Sequence, residues 1–411
     1  MPLMYARGER AEKVLRDHPH AAIARLVFKD REEEGIVFDA FVDEAFAESL
    51  VVGIARHRRR EGIGGELVAF RTQEFKRVRG PGEVRLSTSI LKSEQSNTSV
   101  LLGDRFILKL FRCIHPGVNP DLEIGRFLTE KKFKHIPPVA GAIEYRRERE
   151  EPMTLAILRQ FVPSEGDAWK YTLDRLAHFF QHAVAERGKM EGLSFPSSPL
   201  LDLAESEIPP TAAEIIGPYL ESARLLGQRT GEMHLALGSD PDRPGFAPEP
   251  FSRLYQRSIY QSMRNLTGQV FQLLRQRLRT LPEGARPEVQ EVMDQEANIL
   301  ERFRSIMDLR ITGMRIRCNG DYHLGKLLYT GKDFLIIDFE GEPARPLTER
   351  RIKRSPLRDV AGMLRSFDYA AYSALFSQRD GGMIHLEDFA FLESSAQFWR
   401  LWVSAAFLKA Y

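Results

Sequence analysis

The first eighty residues combine short apolar runs with one apolar pattern of helical spacing. Ala22–Phe28 and Gly35–Asp39 are apolar enough to form strands. Between Val42 and Arg56, apolar residues recur at three- and four-residue steps, which predicts a helix. Arg79-Gly80-Pro81-Gly82 then breaks regular structure. We therefore predict a domain boundary near this segment, with residues 1–83 as an N-terminal cap module.

Strand-like runs dominate the next eighty residues. Ser99–Leu102 and Arg105–Phe111 flank the turn signal Gly103-Asp104, so they predict a hairpin. Asn119-Pro120 is a strong helix start, because Asn caps a helix and Pro suits its first position. Met153–Val162 predicts a further strand. This part is predicted as a second domain, residues 84–163, built on a sheet.

Beyond Pro163 the apolar spacing is mainly helical, and residues 164–411 form the third predicted domain. A compact strand–loop–strand unit after Leu309 interrupts the helices, which indicates an α+β protein with two lobes around a cleft. The predicted helices are Asp174–Glu186, Glu214–Leu237, Arg253–Leu281 and Pro287–Leu309.

Composition narrows the setting of the protein. The 411 residues carry a net charge of +2, which gives no reason to expect a nucleic acid or an anionic membrane as partner. Two cysteines, Cys113 and Cys318, without metal-ligand spacing fit a reducing compartment. The charged N-terminus lacks a signal-peptide core, and no apolar run reaches the length of a membrane helix. We expect a cytoplasmic protein.

The chemistry concentrates in one hairpin. Cys318–Lys326 contains Asp321, and the apolar strand that begins at Phe334 ends in Asp338. Two strands joined by the turn at Thr330–Asp333 bring these two carboxylates to neighbouring ends. Phosphoryl transfer needs one carboxylate near the attacking hydroxyl and another that holds Mg²⁺ against the ATP phosphates.

These motifs carry a family resemblance. Asn319-Gly320-Asp321, followed by Asp338-Phe339-Glu340-Gly341, resembles the catalytic and metal loops of kinases related to aminoglycoside phosphotransferases and choline kinases. More narrowly, Gly320–Gly325, Ile337–Pro343 and Ser355–Phe367 resemble maltokinases. The resemblance implies an α+β, bilobal protein-kinase-like fold with an N-terminal cap module, an antiparallel-sheet N-lobe and a mainly helical C-lobe. It also implies ATP and Mg²⁺ as cofactors and maltose as substrate, converted to maltose 1-phosphate for α-glucan synthesis.

The resemblance assigns roles to particular positions. Asp321 is the expected catalytic base, and Asp338 is the expected metal ligand with Glu340 beside it. Lys109 occupies the strand position that neutralises the ATP phosphates, and Glu123 is its expected helix partner. A snorkelling edge lysine is the alternative for Lys109 taken alone. The segment Ser93–Ser99 stands where a glycine-rich phosphate loop would be, and its expected nucleotide contacts are Ser96, Asn97 and Thr98.

Sugar contacts are less determined by the sequence. Glu340 and Glu342 fit metal binding, sugar binding or a solvated loop, and His323 fits a substrate contact or a packed histidine. Arg358 is a candidate sugar contact, although an ion pair with Asp359 that supports the catalytic loop is the preferred interpretation. Sugar sites also need aromatic platforms, although aromatic residues at helical spacing usually belong to the core. The aromatic candidates are Tyr322, Tyr369, Tyr372, Trp399 and Trp402.

Two positions depart from the family pattern. Asn319 stands where the family has a histidine that bonds backbone near the metal loop. Lys326 stands where a metal-binding Asn or Gln is expected, and an ammonium group has no lone pair for Mg²⁺. We therefore expect a single metal ion, held mainly by Asp338, and lower activity than a variant with Gln at 326.

Three functions remain open from the sequence. The first is phosphorylation of maltose at its anomeric hydroxyl, and the second is phosphorylation of another sugar or an amino alcohol. The third is a degenerate kinase-like binding module, which Asn319 and Lys326 motivate. Maltokinases also occur fused behind a trehalose synthase, and this chain ends inside an aromatic helical pattern. A trehalose synthase domain or protein is therefore the expected partner if the chain is a piece of such a fusion.

Overall fold

The computed structural model describes residues 2–28, 33–81, 86–91, 97–191, 198–380 and 388–411. These residues form two compact units. The first contains residues 1–237, 318–352 and 357–411, and the second contains residues 238–317 and 353–356. Each unit is described by itself below.

Strands and helices are numbered in chain order. The strands are β1 (Leu3–Arg7), β2 (Ala22–Phe28), β3 (Glu33–Asp39), β4 (Arg59–Gly62), β5 (Gly65–Arg71), β6 (Thr88–Leu91), β7 (Asn97–Leu102), β8 (Phe106–Phe111), β9 (Val139–Arg146), β10 (Met153–Gln160), β11 (Gly166–Asp167), β12 (Glu249–Pro250), β13 (Met314–Arg315), β14 (Leu327–Tyr329) and β15 (Phe334–Ile336). The α-helices are α1 (Gly8–Asp17), α2 (Glu44–Ala55), α3 (Glu74–Arg79), α4 (Pro120–Glu130), α5 (Ala168–Ala185), α6 (Arg187–Glu191), α7 (Leu200–Glu205), α8 (Pro210–Ile216), α9 (Tyr219–Leu237), α10 (Arg253–Arg277), α11 (Arg286–Asp294), α12 (Glu296–Arg304), α13 (Leu347–Arg350), α14 (Leu357–Asp380) and α15 (Phe389–Ala410).

A small antiparallel sheet of order β1-β3-β2 opens the chain. Alternate residues on β1 and β3 turn Ala6, Ile36 and Phe38 to one face, where they pack against Ala11 and Val14 of α1. The predicted strands at residues 22–28 and 35–39 are thus confirmed as β2 and part of β3.

The main sheet has seven antiparallel strands in the order β4-β5-β9-β10-β8-β7-β6. The predicted hairpin is confirmed, because β7 pairs with β8 and Ser99 lies opposite Lys109. Two of the seven strands, β4 and β5, precede the predicted boundary at residue 83, and the three-domain division stays a prediction. One face of the sheet packs against α2, where Val51 and Ile54 belong to the same apolar core as Leu108.

Helix α4 follows the hairpin and begins where the sequence predicted. The Asn119 side chain accepts a hydrogen bond from the Asp121 amide at 2.8 Å, and Pro120 is the first helical residue. This cap fixes the first turn of α4, which carries Asp121 and Glu123. The position of these two carboxylates is therefore set by local sequence.

The rest of the first unit is mainly helical. The predicted helix Glu214–Leu237 is wrong as a single element, because α8 ends before Gly217 and α9 begins after Pro218. Gly217 has φ of +68°, and Pro218 has no amide hydrogen to continue the first helix. Helices α5, α9, α14 and α15 pack together, and Trp399 of α15 lies fully buried among them. A short sheet of order β11-β14-β15 lies beside α5.

The second unit consists of helices α10 to α12 and the short pair β12–β13. Gln256 of α10 donates to the carbonyl groups of Ile306 and Leu309, at 2.9 and 2.8 Å. Lys353 bonds Glu249 at 2.8 Å, which ties residues 353–356 to β12. In the part of the chain that the structure describes, no helix combines the length and apolar character needed to cross a bilayer.

Candidate active site

A buried lysine lies at the centre of the site. The side chain of Lys109, on β8, is only 7% exposed, and its ammonium group contacts two carboxylates. Its Nζ atom contacts Oδ1 of Asp338 directly and lies 2.6 Å from Oε1 of Glu340. Lys109 therefore projects from an inner strand of the main sheet and contacts Asp338 and Glu340, which follow β15 in the chain. The geometry excludes the alternative that Lys109 is a snorkelling edge residue.

A third carboxylate, Asp121 at the start of α4, completes the cluster. Its Oδ2 atom is 3.7 Å from the Lys109 ammonium, is buried and accepts no hydrogen bond from the residues that the structure describes. Its Oδ1 atom accepts from Arg159 at 2.7 Å and from the Phe339 amide at 2.8 Å. Asp121 thus connects β10, α4 and the loop that carries Asp338.

Glu123 takes a different place from the one predicted. It forms a two-pronged ion pair with Arg351, with distances of 3.0 and 2.9 Å. Both acidic residues lie in the first turn of α4, and the rotation of the helix points Asp121 rather than Glu123 to Lys109. The carboxylate on α4 that lies 3.7 Å from the lysine is therefore Asp121.

Electrostatic interactions in the cluster raise the pKa of Lys109 and lower the pKa of Asp338. Burial alone would lower the pKa of Lys109, but the three surrounding carboxylates outweigh burial and raise it above its ordinary value. Burial opposes ionisation of Asp338, but the ammonium groups of Lys109 and Lys326 hold the pKa of that carboxyl well below its usual range. The Lys109 ammonium group and the Asp338 carboxylate therefore both keep their charge at neutral pH.

Asp338 is held by its backbone as well as by its side chain. Its φ angle is +56°, in the left-handed region that residues other than glycine rarely occupy. The Asn319 amide group donates to the Asp338 carbonyl at 3.1 Å. Asn319 therefore bonds the backbone of the loop that carries Asp338, which is the contact that the resemblance gives to the family's histidine. Its Oδ1 atom also accepts from the Asp321 amide at 3.2 Å.

Asp321 lies on the adjacent loop, and its side chain is 35% exposed. The loop turns at Gly320, whose φ is +84°. The buried carboxylate of Asp359, at the start of α14, accepts from the amides of Asn319 and Gly320 at 2.8 and 2.9 Å. These bonds fix the direction of the backbone immediately before Asp321.

Lys326 follows in the same loop and lies on the other side of Asp338. Its Nζ atom is 3.2 Å from Oδ2 of Asp338, so both oxygens of this carboxylate contact ammonium groups. Asp121, Asp338 and Glu340 each offer an oxygen within 4.8 Å of the others, a set of hard donors that suits a divalent cation. A cation that used both oxygens of Asp338 would have to displace Lys109 from Oδ1 and Lys326 from Oδ2.

The predicted sugar contacts divide into two groups. His323 is near the site, with Nε2 at 3.9 Å from Asp321 Oδ2, and its Nδ1 accepts from the Gly325 amide at 3.2 Å. Burial, together with the charge of Lys326, lowers the pKa of His323 despite the nearby carboxylate of Asp321. The side chain therefore has a local backbone role and is also within reach of the predicted base.

Glu342 and Arg358 pair with each other at 3.0 Å. Arg345 also bonds Glu342, at 2.6 Å, and these bonds hold the pKa of the Glu342 carboxyl below its ordinary value. The predicted ion pair between Arg358 and Asp359 is therefore replaced by a pair between Arg358 and Glu342. Tyr369 is exposed on α14, ten residues beyond Asp359 and thus about 15 Å further along the helix axis.

The predicted phosphate segment is partly described. Asn97 begins β7, and its side-chain amide donates to Glu340 at 3.2 Å, so it belongs to the cluster. Thr98 accepts from Arg112 at 3.0 Å. Ser96 lies outside the described residues. The structure thus brings together Lys109, Asn97, Asp338 and Glu340, adds Asp121 and Arg159, and places Asp321 and His323 on the neighbouring loop.

Comparison with solved structures identifies the class of fold. A glucosamine kinase solved in complex with glucosamine, ADP and inorganic phosphate aligns with 92% of this chain and 73% of its own, with a TM-score of 0.60 and 19% identity. The chain therefore has the α+β, bilobal, kinase-like fold that the resemblance implied.

Sequence comparison gives distant relatives of the same kind. A glucosamine kinase from Streptacidiphilus jiangxiensis is 22% identical over 340 residues, which are 81% of this chain and 64% of the relative. A second glucosamine kinase, from Mycolicibacterium smegmatis, is 23% identical over 288 residues, which are 68% and 58% of the two chains. The chain thus spans 64% and 58% of the length of these two relatives, less than two thirds of each. No protein-family model matches it.

Proposed function

We propose that the protein is a sugar kinase that transfers the γ-phosphoryl group of ATP to a sugar hydroxyl. The observation that carries this proposal is the cluster in which Lys109 lies among Asp121, Asp338 and Glu340, beside the loop of Asp321. Such a cluster supplies positive charge for phosphate groups and carboxylates for a metal ion.

The cluster fits Mg²⁺ by its donor set. Asp338 and Glu340 are the proposed ligands, and the buried Oδ2 atom of Asp121 is a further acceptor that has no hydrogen-bond donor among the described residues. When bound, Mg²⁺ neutralises charge on the phosphates. Lys109 is proposed to bind the α- and β-phosphates, with Asn97, Thr98 and Ser96 near the nucleotide.

Asp321 is the proposed base. The sugar oxygen forms a bond to the γ-phosphorus as the bond between that phosphorus and the β–γ bridging oxygen breaks, and ADP leaves. The hydroxyl proton passes to the Asp321 carboxylate, which is partly exposed and can therefore be reached by the sugar hydroxyl. Asn319 and Asp359 hold this loop in place through four hydrogen bonds.

Lys326 supports the proposal of a single divalent cation. Its ammonium group is 3.2 Å from Asp338 Oδ2 and cannot act as a metal ligand. We propose that this charge takes the place of a second cation, so that the enzyme needs one Mg²⁺ in addition to ATP.

Glucosamine is the first acceptor to test, and maltose is the second. The two relatives described above are glucosamine kinases, which favours an amino sugar. Maltose rests on the motif resemblance, but three of its five aromatic platform candidates, Tyr322, Trp399 and Trp402, are at most 5% exposed. Tyr369 and Tyr372 remain accessible for stacking. A cytoplasmic setting is proposed together with the use of ATP, and a trehalose synthase partner is proposed only together with maltose.

ADP release measured with a panel of acceptors tests this proposal. We expect Mg²⁺-dependent turnover with glucosamine and at least tenfold lower kcat/KM with maltose, glucose and choline. Turnover highest with maltose would restore the alternative that the motifs imply. Tight Mg²⁺–ATP binding without transfer to any acceptor would favour a degenerate, kinase-like binding module.

A further inference from the structure

The catalytic loop is fixed by a carboxylate that the substrates do not reach. Asp359 has a fully buried side chain, and its two oxygens accept from the amides of Asn319 and Gly320. These are the two residues immediately before Asp321. Any change in the orientation of the Asp359 carboxylate therefore moves the backbone that carries the proposed base.

A histidine from another helix is the third partner of this carboxylate. Nε2 of His234, on α9, lies 3.1 Å from Oδ2 of Asp359, and the imidazole is 5% exposed. A carboxylate accepts hydrogen bonds, so Nε2 must carry the hydrogen. In a neutral imidazole, Nδ1 is then an acceptor, and it lies 2.9 Å from the hydroxyl of Tyr411.

Close packing of α15 against α9 brings Tyr411 to this position. A Cβ atom at Gly227 of α9 would clash with the Phe407 carbonyl, so the two backbones meet directly at this glycine. The Tyr411 ring is stacked on Phe407 and meets the His234 ring edge-on, with centroids 5.6 Å apart. The Tyr411 hydroxyl is thus directed to His234 by packing.

We propose that Tyr411 and His234 form a positioning relay for the catalytic loop. The Tyr411 hydroxyl donates to His234 Nδ1, His234 Nε2 donates to Asp359, and Asp359 accepts from the loop amides. His234 and Tyr411 are positioning residues that touch no substrate. The expected effect on turnover rests on the proposed kinase function, whereas the effect on the loop backbone does not.

Three variants separate the members of the relay. His234→Leu removes both hydrogen bonds, and His234→Gln restores a donor and an acceptor through its amide group. Tyr411→Phe removes only the outer hydroxyl. Tyr255→Phe is the matched control, because the Tyr255 hydroxyl donates to the Lys353 carbonyl in the second unit.

Amide hydrogen exchange of the segment 317–324 is the main measurement. We expect His234→Leu to speed exchange by about tenfold and Tyr411→Phe by about twofold, because one hydrogen bond changes a local equilibrium by roughly two- to tenfold. His234→Gln and Tyr255→Phe should exchange at nearly the wild-type rate. In the same series, kcat should fall as exchange rises, while KM for ATP stays constant.

Ring-nitrogen NMR of histidine-labelled protein gives a second readout. Wild-type His234 should show a protonated Nε2 and an unprotonated Nδ1, and Tyr411→Phe should shift the Nδ1 signal. Unchanged exchange in both His234→Leu and Tyr411→Phe would overturn the relay, as would a protonated Nδ1 in the wild type. Unchanged exchange in the variants of a protein whose wild type turns over refutes the relay alone. Faster exchange in the variants of a protein whose wild type shows no turnover refutes the kinase function alone.

Discussion

Two carboxylates of the candidate site, Asp338 and Asp321, have opposite surroundings. Asp338 contacts two ammonium groups, its side chain is 21% exposed and its backbone has a left-handed φ of +56°. Asp321 is 35% exposed and has a histidine rather than an ammonium as neighbour, at 3.9 Å. The first arrangement holds a permanent negative charge on Asp338, and the second leaves the Asp321 carboxylate accessible from solvent. This difference in surroundings is the basis for proposing Asp338 as the metal ligand and Asp321 as the base.

Removing the negative charge of Asp338 should have the largest effect on turnover. Asp338→Asn should lower kcat by about 10²- to 10³-fold, because electrostatic groups at a phosphoryl site contribute on this scale. It should also lower the free energy of unfolding by about 1.5 kcal/mol, because Lys109 loses one of the three carboxylates around it. Steady-state kinetics and urea unfolding measure the two effects.

Asp333→Asn is the matched control for this change. Asp333 is paired with Arg229 at 2.9 and 3.0 Å, at the turn of the same hairpin. This variant should lose stability but keep kcat within about twofold of the wild type. A catalytic loss as large as that of Asp338→Asn would show that hairpin stability, rather than charge, explains both variants.

Replacing Lys326, the second ammonium group beside Asp338, should have an intermediate effect on turnover. Lys326→Gln removes the positive charge that lies 3.2 Å from Asp338 and supplies a neutral oxygen ligand. We expect a several-fold rise in kcat and a change from one to two bound Mn²⁺ ions per ADP complex, counted by electron paramagnetic resonance. Unchanged turnover and one Mn²⁺ in both proteins would contradict the proposed role of Lys326.

The histidine beside Asp321 should have the smallest effect. The pKa of His323 is lowered from its ordinary value near 6.5, so the imidazole gains a proton only at a pH below that value. At pH 7 and above the imidazole is neutral. The kcat/KM profile between pH 7 and 8 should therefore be the same in the wild type and in His323→Gln, within about twofold. If kcat/KM changed with pH between pH 7 and 8 in the wild type but not in His323→Gln, proton transfer would be assigned to His323 instead.

Local sequence predicted the hairpin with Asp321 and Asp338, the strand that carries Lys109 and the cap of α4. These features depend on residues close together in the chain. The choice between Asp121 and Glu123 could not be predicted, because both lie in one helical turn and only the packing of α4 decides which faces Lys109. His234 was also missed, since it meets Asp359 across 125 residues and a lone helical histidine has no motif.

Buried aromatic residues show the same limit. Trp399 and Trp402 have helical spacing, which fits both a sugar platform and a core. The structure places both in the core of the helical part, at 0% and 5% exposure. Periodicity identifies the apolar face of a helix, but the identity of its neighbour depends on how distant elements pack.

Phosphorus NMR of the protein with Mg²⁺–ATP and glucosamine, with Asp321→Asn as the control, tests the central claim most directly. The account predicts a new phosphate-monoester signal that grows in step with ADP. In Asp321→Asn this signal should be weaker by about 10²-fold or more, while nucleotide binding stays intact. Equal rates in the two proteins would contradict Asp321 as the base, and no monoester with any sugar from a folded protein that binds ATP would contradict the kinase function.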